Sequence, residues 1–101
     1  MKETNAFTSL HPGEVLLEEY LKPLGISQNK LALNMRVSPQ RVNEIVNGKR
    51  SITPETAIRL ARVIGTTPAF WLSMQADYDL QIVETNIGSQ IEKEVTPIYT
   101  V

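Results

Sequence analysis

The chain has 101 residues, a length that suits one domain with a buried core, and a net charge of −1 at pH 7, which on average does not favour a nucleic-acid ligand. It has no cysteine and one histidine, so disulfides are excluded and neither a metal site nor a metal or organic cofactor is expected. No apolar run approaches the roughly 18 residues of a membrane span, and the first residues lack the apolar stretch of a secretory signal, so a cytoplasmic protein is expected.

Five helices are predicted, and four of them begin with a proline. Proline suits the first helical position because its missing N–H is not needed there. A proline also keeps the residue before it out of the α region, and an N-cap residue has such a non-helical conformation. The four starts are His11-Pro12, Ser38-Pro39, Thr53-Pro54 and Thr67-Pro68. Ser27 marks a fifth start without a proline.

Apolar residues at helical spacing give the extents of these helices. We expect helices over about 13–22, 28–35, 39–47 and 54–64, and a last helix that begins at 68 and continues past 80. Their predicted inward residues are Leu17, Tyr20, Leu21 and the following Leu24; Leu31, Ala32 and Met35; Val42, Ile45 and Val46; and Ala57, Leu60, Ala61 and Ile64.

The last helix carries two apolar stripes. Phe70, Trp71, Met74 and Tyr78 form one, which we assign to the core. The second has steps of four, four, three and four residues, and a helix with two apolar stripes needs two partners. We predict a dimer contact for it; the alternatives are one wide buried face or a tail that folds back over it. The second stripe consists of Leu72, Ala76, Leu80, Val83 and Ile87.

The C-terminal sequence changes character after this helix. Gly88 and Ser89 are predicted to form a joint, and the β-branched and aromatic residues of 94–101 indicate an extended tail. Pro97 restricts that tail to an edge strand or an arm. The sequence therefore predicts an N-terminal arm over 1–10, a DNA-binding and dimerisation domain over 11–87, and a tail over 88–101.

Helices two and three are joined by a very short turn, so they must cross at a large angle. Ala32 allows a close crossing, and Val37 can plug the turn from inside. The third helix then protrudes, and its outer face can enter a major groove. This arrangement is a helix-turn-helix.

The outer face of the third helix carries the groups that read base edges. Gln and Asn suit adenine and Arg suits guanine, so Gln40, Arg41 and Asn43 are predicted to read bases. Glu44 either accepts a hydrogen bond from a cytosine amine or orients Arg41. Asn47 ends the same face.

Charge is distributed unevenly along the chain. Residues 27–65 hold seven basic and two acidic side chains, whereas 1–26 and 66–101 have net charges of −2 and −4. A basic middle indicates a surface for a polyanion. Gln28 and Ser38 lie at helix starts, where a phosphate can be held, and Lys49 and Arg50 can neutralise phosphates. Arg59 and Arg62 are predicted to be surface residues or ion-pair partners.

The chain resembles the phage-repressor (XRE, or Cro/C1) helix-turn-helix family over 28–47, and more narrowly the HigA-type antitoxins, also called the VapI or addiction-module antidote group, over about 10–80. The motifs that carry this resemblance are HPGE at 11–14, NGKRSIT at 47–53 and FWLSMQADYDL at 70–80. It implies an all-α, five-helix, phage-repressor-like domain. It also implies a homodimer that binds a palindromic operator before its own operon and neutralises a HigB-type mRNA-cleaving toxin.

The resemblance also carries over site residues. It adds Pro39 to the base-reading positions. Relatives have at this position a residue that hydrogen-bonds DNA, so in this chain the reading of bases is expected to shift to Gln40 and Arg41. Arg36 stands where the family usually has glycine, which leaves open whether the turn keeps its shape. The predicted DNA-contacting residues are Gln28, Ser38, Pro39, Gln40, Arg41, Asn43, Glu44, Asn47, Lys49 and Arg50.

The sequence is also compatible with two other functions. One is a stand-alone XRE-family repressor without a toxin partner, and the other is a protein-interaction module that has lost DNA binding. An enzyme is not expected, because one histidine, no cysteine and no glycine-rich phosphate loop leave no catalytic set.

Overall fold

The computed structural model describes residues 10–99, which form five helices and no strand. The first, α1, is continuous over 12–24 and consists of an α-helical turn Pro12–Val15, a π-helical segment Leu16–Leu21 and a final turn Lys22–Leu24. The others are α2 Gln28–Met35, α3 Pro39–Val46, α4 Pro54–Ile64 and α5 Pro68–Glu94. The all-α, five-helix prediction is confirmed.

Each helix begins at a predicted start and with a side-chain capping hydrogen bond. A side-chain atom of the preceding residue accepts a hydrogen bond from a backbone N–H two or three positions further on, at 2.9–3.4 Å. These bonds satisfy N–H groups that have no partner within their own helix. The five capping residues are His11, Ser27, Ser38, Thr53 and Thr67.

The core lies where α1, α2, α3 and α4 meet the first half of α5. Trp71 is fully buried at its centre, packs against the rings of Tyr20 and Phe70, and donates from Nε1 to Thr66 Oγ1 at 2.6 Å. The predicted inward faces of α2 and α3 are buried as expected. The core residues are Leu16, Leu21, Leu31, Ala32, Met35, Val42, Ile45, Val46, Ile52, Ala57, Leu60, Ala61 and Trp71.

The inward face of α1 differs from the prediction. Leu16 is buried, although it was not assigned to the core, and Leu24 is 61% exposed. The cause is the π-helical segment, whose i→i+5 hydrogen bonds bring residues five apart onto nearly the same face. Leu16 and Leu21, both buried, have that spacing.

The predicted joint at Gly88 and Ser89 is wrong, because α5 runs through both residues to Glu94. One glycine costs a helix about 1 kcal/mol, which cooperative propagation of the flanking turns offsets. The helix ends where Pro97 forces Thr96 out of the α region, and Val95 is already extended with φ −90° and ψ 127°. Residues 95–99 form no strand, while residues 100 and 101 lie outside the described part.

The second half of α5 extends beyond the core. A helix of 27 residues is about 40 Å long, and the described chain measures 51 × 33 × 22 Å. Within 10–99, no helix combines the length and the apolar character needed to cross a membrane. The functional division of the chain at 87 and 88 stays a prediction.

Candidate nucleic-acid interface

The turn between α2 and α3 keeps a left-handed residue despite the absence of glycine. Arg36 has φ 64° and ψ 42°, and the N–H of Val37 donates to Ala32 O at 3.1 Å. A non-glycine residue in this conformation costs about 1 kcal/mol, which the hydrogen bonds and the half-buried Val37 side chain offset. Arg36 in place of glycine therefore leaves the left-handed turn intact.

Arg59 of α4 stabilises the same turn. Its Nη1 donates to Met35 O at 3.0 Å, and its Nε donates to Glu55 Oε2 at 3.0 Å. A guanidinium at the end of a helix satisfies a free carbonyl and faces the negative end of the helix dipole. The predicted ion-pair role of Arg59 is confirmed, and the contact fixes the end of α2 from which α3 departs.

Helix α3 exposes its polar face. Val42, Ile45 and Val46 are buried against the other helices, so the residues on the opposite side face solvent. Four of these, at positions 40, 43, 44 and 47, follow i, i+3, i+4 and i+7 spacing and form one continuous strip. We call this strip the α3 polar face. Arg41 lies at its edge and is half-buried.

Glu44 is the centre of a hydrogen-bond network on this face. Its Oε1 accepts from Arg50 Nε at 2.8 Å, and its Oε2 accepts from Gln40 Nε2 at 3.1 Å. These bonds, first from Arg50 and then from Gln40, hold the pKa of Glu44 below its usual range. The prediction that Glu44 orients Arg41 is therefore wrong, because the chain after α3 turns back and presents Arg50 to the carboxylate instead.

Asn43 and Gln28 connect α3 to the start of α2. Asn43 Nδ2 donates to Gln28 Oε1 at 3.1 Å, across 15 residues of sequence. Asn47 Nδ2 donates to Asn43 O at 3.0 Å, which uses part of its amide within the helix. The side-chain nitrogen of Gln28 and the side-chain oxygen of Asn43 remain available to hydrogen-bond a ligand. Sequence reasoning assigned both residues to DNA but missed that each orients the other.

The N-terminal end of α3 keeps a hydrogen-bond donor free. Ser38 Oγ accepts from the N–H of Arg41 at 3.1 Å, so its hydroxyl hydrogen remains available to donate. Pro39 follows at the exposed first position of the helix. Lys49 and Arg50, both exposed, follow the other end of α3. The structure thus places all ten predicted DNA-contacting residues on or beside the α3 polar face, and their contact with DNA stays a prediction.

Gln75 of α5 holds the loop that carries these basic residues. It is 5% exposed, its Oε1 accepts from the N–H of Ile52 at 2.8 Å, and its Nε2 donates to Asp79 Oδ1 at 3.0 Å. Sequence reasoning missed this residue. The signal was a polar side chain one helical turn after Trp71 on the core face, where a buried amide requires partners.

The second stripe of α5 remains largely uncovered within the chain. Leu72 packs partly against the core, but Leu80 is 59% exposed, and Val83 and Ile87 are exposed as well. Ile91 continues the stripe by one more turn. Neither a wide buried face nor a tail folded back over the stripe occurs in residues 10–99, so these two alternatives do not describe this part of the chain.

Within residues 10–99, no three histidine or acidic side chains come together as a metal site would require. The α3 polar face combines three amide groups and one carboxylate, with the guanidinium of Arg41 at its edge and that of Arg50 bound to Glu44. Such groups make directional hydrogen bonds to base edges and phosphates. The arrangement is therefore suited to recognition.

Comparison with known proteins agrees with this geometry. A helix-turn-helix family model matches residues 17–71. Virulence-associated protein I of Dichelobacter nodosus is 51% identical over 80 residues, which cover 79% of this chain and 74% of that protein.

Two solved structures are similar over nearly their whole length. An addiction module antidote protein of a HigA family from Coxiella burnetii has 48% identity and a TM-score of 0.84, covering 89% of this chain and 98% of that one. Pseudomonas aeruginosa antitoxin HigA with the higBA promoter has 40% identity and a TM-score of 0.86, covering 90% and 99%.

Proposed function

This chain belongs to the HigA-type antitoxin group of the XRE helix-turn-helix family, a group of DNA-binding regulators and not of enzymes, and from that membership we propose its particular role. It binds a palindromic operator as a homodimer, represses its own operon in the cytoplasm, and neutralises a HigB-type mRNA-cleaving toxin. The observation that carries the DNA-binding part is the α3 polar face, which stands clear of the core with the side-chain amides of Gln40, Asn43 and Asn47 exposed.

Sequence-specific reading follows from the types of side chain on that face. Gln40 and Asn43 each offer an acceptor and a donor, which pair with the N6 donor and the N7 acceptor of adenine. Arg41 offers two donors, which pair with the N7 and O6 acceptors of guanine. Ser38, Lys49 and the amide nitrogen of Gln28 surround these groups and fix the helix against the phosphates. A solvated face with no ligand would need no such set.

The homodimer is proposed from the exposed stripe of α5. Leu80, Val83 and Ile87 lie on one side of a helix that extends past its own core. A second copy related by a two-fold axis would cover the stripe with the same residues, because a two-fold interface is self-complementary. Two copies of α3 about 34 Å apart would then enter successive major grooves of a palindrome.

The toxin partner is proposed from the family and from the charge of the chain. Residues 66–101 carry a net charge of −4 and residues 1–26 carry −2, which suits a basic ribonuclease. Toxin bound at a separate surface would alter operator affinity through linkage. Because exposed charges are screened by salt, binding of the toxin that does not weaken as salt rises would contradict this electrostatic contact.

Co-expression with the neighbouring gene tests the proposal most directly. A tag on this chain should retain a small basic protein at a fixed ratio. The ribonuclease activity of that protein should be absent in the complex. A gel shift with the DNA upstream of the operon tests the repressor role separately. Specific DNA binding with no small reading frame beside the gene would favour the stand-alone repressor instead.

A further inference from the structure

We propose that Glu44 is a positioning residue that turns the amide of Gln40 so that α3 selects adenine at one base of each operator half-site. The inference rests on the proposed operator binding and adds which base is read and how its reader is held. Its basis is the chain of hydrogen bonds that runs from Arg50 through Glu44 to Gln40 on the α3 polar face.

The direction of the Gln40 amide follows from the chemistry of its partner. Gln40 Nε2 lies 3.1 Å from Glu44 Oε2. An ionised carboxylate only accepts hydrogen bonds, so the nitrogen of the amide must face it and the oxygen must face away. One N–H is then used by Glu44. Gln40 Oε1 and the second N–H remain side by side for a ligand.

Arg50 fixes the position of the carboxylate. Its Nε lies 2.8 Å from Glu44 Oε1, while Gln40 is bound to the other oxygen. Two partners on two different oxygens restrict rotation of the carboxylate, and an ion-paired hydrogen bond is stronger than a neutral one. Arg50 also offsets the negative charge that Glu44 would otherwise bring close to DNA phosphates.

An amide held in this direction matches one base better than the other three. Adenine presents an N6 donor beside an N7 acceptor in the major groove, which complement Gln40 Oε1 and its free N–H. Guanine presents two acceptors, N7 and O6. A freely rotating amide could meet both acceptors with its two N–H groups, but one of these is occupied by Glu44 and the amide oxygen would face O6. The network therefore disfavours guanine relative to adenine.

Glu44 is better placed for this role than for reading cytosine itself. Both of its oxygens already accept a hydrogen bond from a neighbouring side chain, and its side chain is only 28% exposed. Gln40 is the more exposed of the two. A direct contact from Glu44 to a base would require the network to open.

Selection from a pool of random duplexes tests the inference. The wild-type protein and Gln40→Ala are compared first, because the position whose preference disappears in Gln40→Ala is the one that Gln40 reads. We expect adenine there, favoured by roughly 5- to 150-fold. Glu44→Ala should lose most of that preference, and guanine should gain the most. Replacing adenine by 7-deazaadenine at that position should weaken DNA binding by the wild-type protein more than it weakens DNA binding by the Glu44→Ala variant.

Glu18→Ala is the matched control. It also removes one carboxylate that is paired with a basic side chain, in this case Lys22, but it lies on α1 and does not touch Gln40. Its base preferences should equal those of the wild type, which separates positioning from a change in net charge. Circular dichroism of each variant checks that the fold is kept.

Two results would overturn the inference while leaving the proposed function standing. One is a Glu44→Ala protein with the wild-type preference at the position that Gln40 reads. The other is loss of a cytosine preference at a different base pair, which would show that Glu44 reads DNA directly. A wild-type protein that enriches no sequence would overturn operator binding, and this inference with it.

Discussion

Gly13 and the carbonyl of Ile45 are so close that a Cβ added to the glycine would lie 1.7 Å from Ile45 O. The start of α1 therefore rests directly on the backbone of α3. His11 caps this start through Nδ1, which accepts from the N–H of Gly13 at 2.9 Å, and Pro12 occupies the first turn. The HPGE motif is thus the device by which α1 supports the recognition helix.

Gly13→Ala should destabilise the protein by about 3 kcal/mol or more, because the added methyl group meets a backbone oxygen and the two helices must separate. Urea unfolding measures the change. Gly88→Ala is the control, since its Cβ would meet only Glu84 Cβ at 3.7 Å. That substitution lies inside α5 and should stabilise the protein by up to about 1 kcal/mol. Equal effects of the two substitutions would contradict this packing.

The His11 cap predicts a loss of stability in mild acid. Burial lowers the pKa of His11 below its ordinary value of 6.5, against the opposing effect of the Asp79 carboxylate. As pH falls through 6.5, the unfolded chain takes up a proton that the folded chain does not, so the free energy of unfolding decreases. The protonated Nδ1 also cannot accept from Gly13.

Unfolding curves between pH 7.5 and pH 5 test this effect. His11→Asn is the comparison, because asparagine is a good N-cap that does not titrate. The wild type should lose more stability than the variant over this interval. Parallel pH dependences for the two proteins would show that His11 does not contribute to the acid sensitivity.

Gln75→Met should cost about 1–3 kcal/mol, since it leaves the N–H of Ile52 buried without an acceptor. The loop that carries Lys49 and Arg50 would lose its anchor, so operator affinity should fall too. Amide exchange of Ile52 reports the anchor directly and should accelerate in the variant. Asp79→Asn keeps an acceptor for Gln75 Nε2 and should leave this exchange unchanged. Unaltered Ile52 protection in Gln75→Met would refute the assignment.

Val83→Glu should convert the proposed dimer into a folded monomer, because it places a charge within the apolar stripe of α5. Ile82 is the matched control: it is 43% exposed against 45% for Val83, but it lies about 100° around the helix. Ile82→Glu should therefore remain dimeric. Sedimentation velocity distinguishes the two states. If both variants or neither became monomeric, the stripe would not be the dimer contact.

Arg41→Ala should weaken operator binding by about 1–3 kcal/mol and relax the preference at one base pair, as expected for a residue that reads a base. Arg62→Ala removes the same charge from an exposed site on α4 and should change binding little. Fluorescence anisotropy at two salt concentrations measures both. Comparable losses for the two variants would indicate a general charge effect instead of base reading.

Much of the fold follows from local sequence signals. Proline after a capping residue predicted helix starts at Ser38, Thr53 and Thr67, and the apolar positions of α2 and α3 predicted their buried faces. These signals work because capping and helical spacing involve residues no more than four positions apart. The polar face of α3 could be predicted in the same way, since the side chains opposite three buried residues of one helix must contact solvent or a ligand.

The sequence by itself determined where the five helices begin, the short turn and the types of group on the recognition helix. Only the tertiary structure decided how those groups are held: Gln28 beside Asn43, Arg50 on Glu44, Gln75 under Ile52, and the π-helical segment that turns Leu16 inward. These contacts join residues on different elements, or depend on how tightly one helix packs on another. Their geometry is therefore fixed by the packing of the whole chain, which no local spacing encodes.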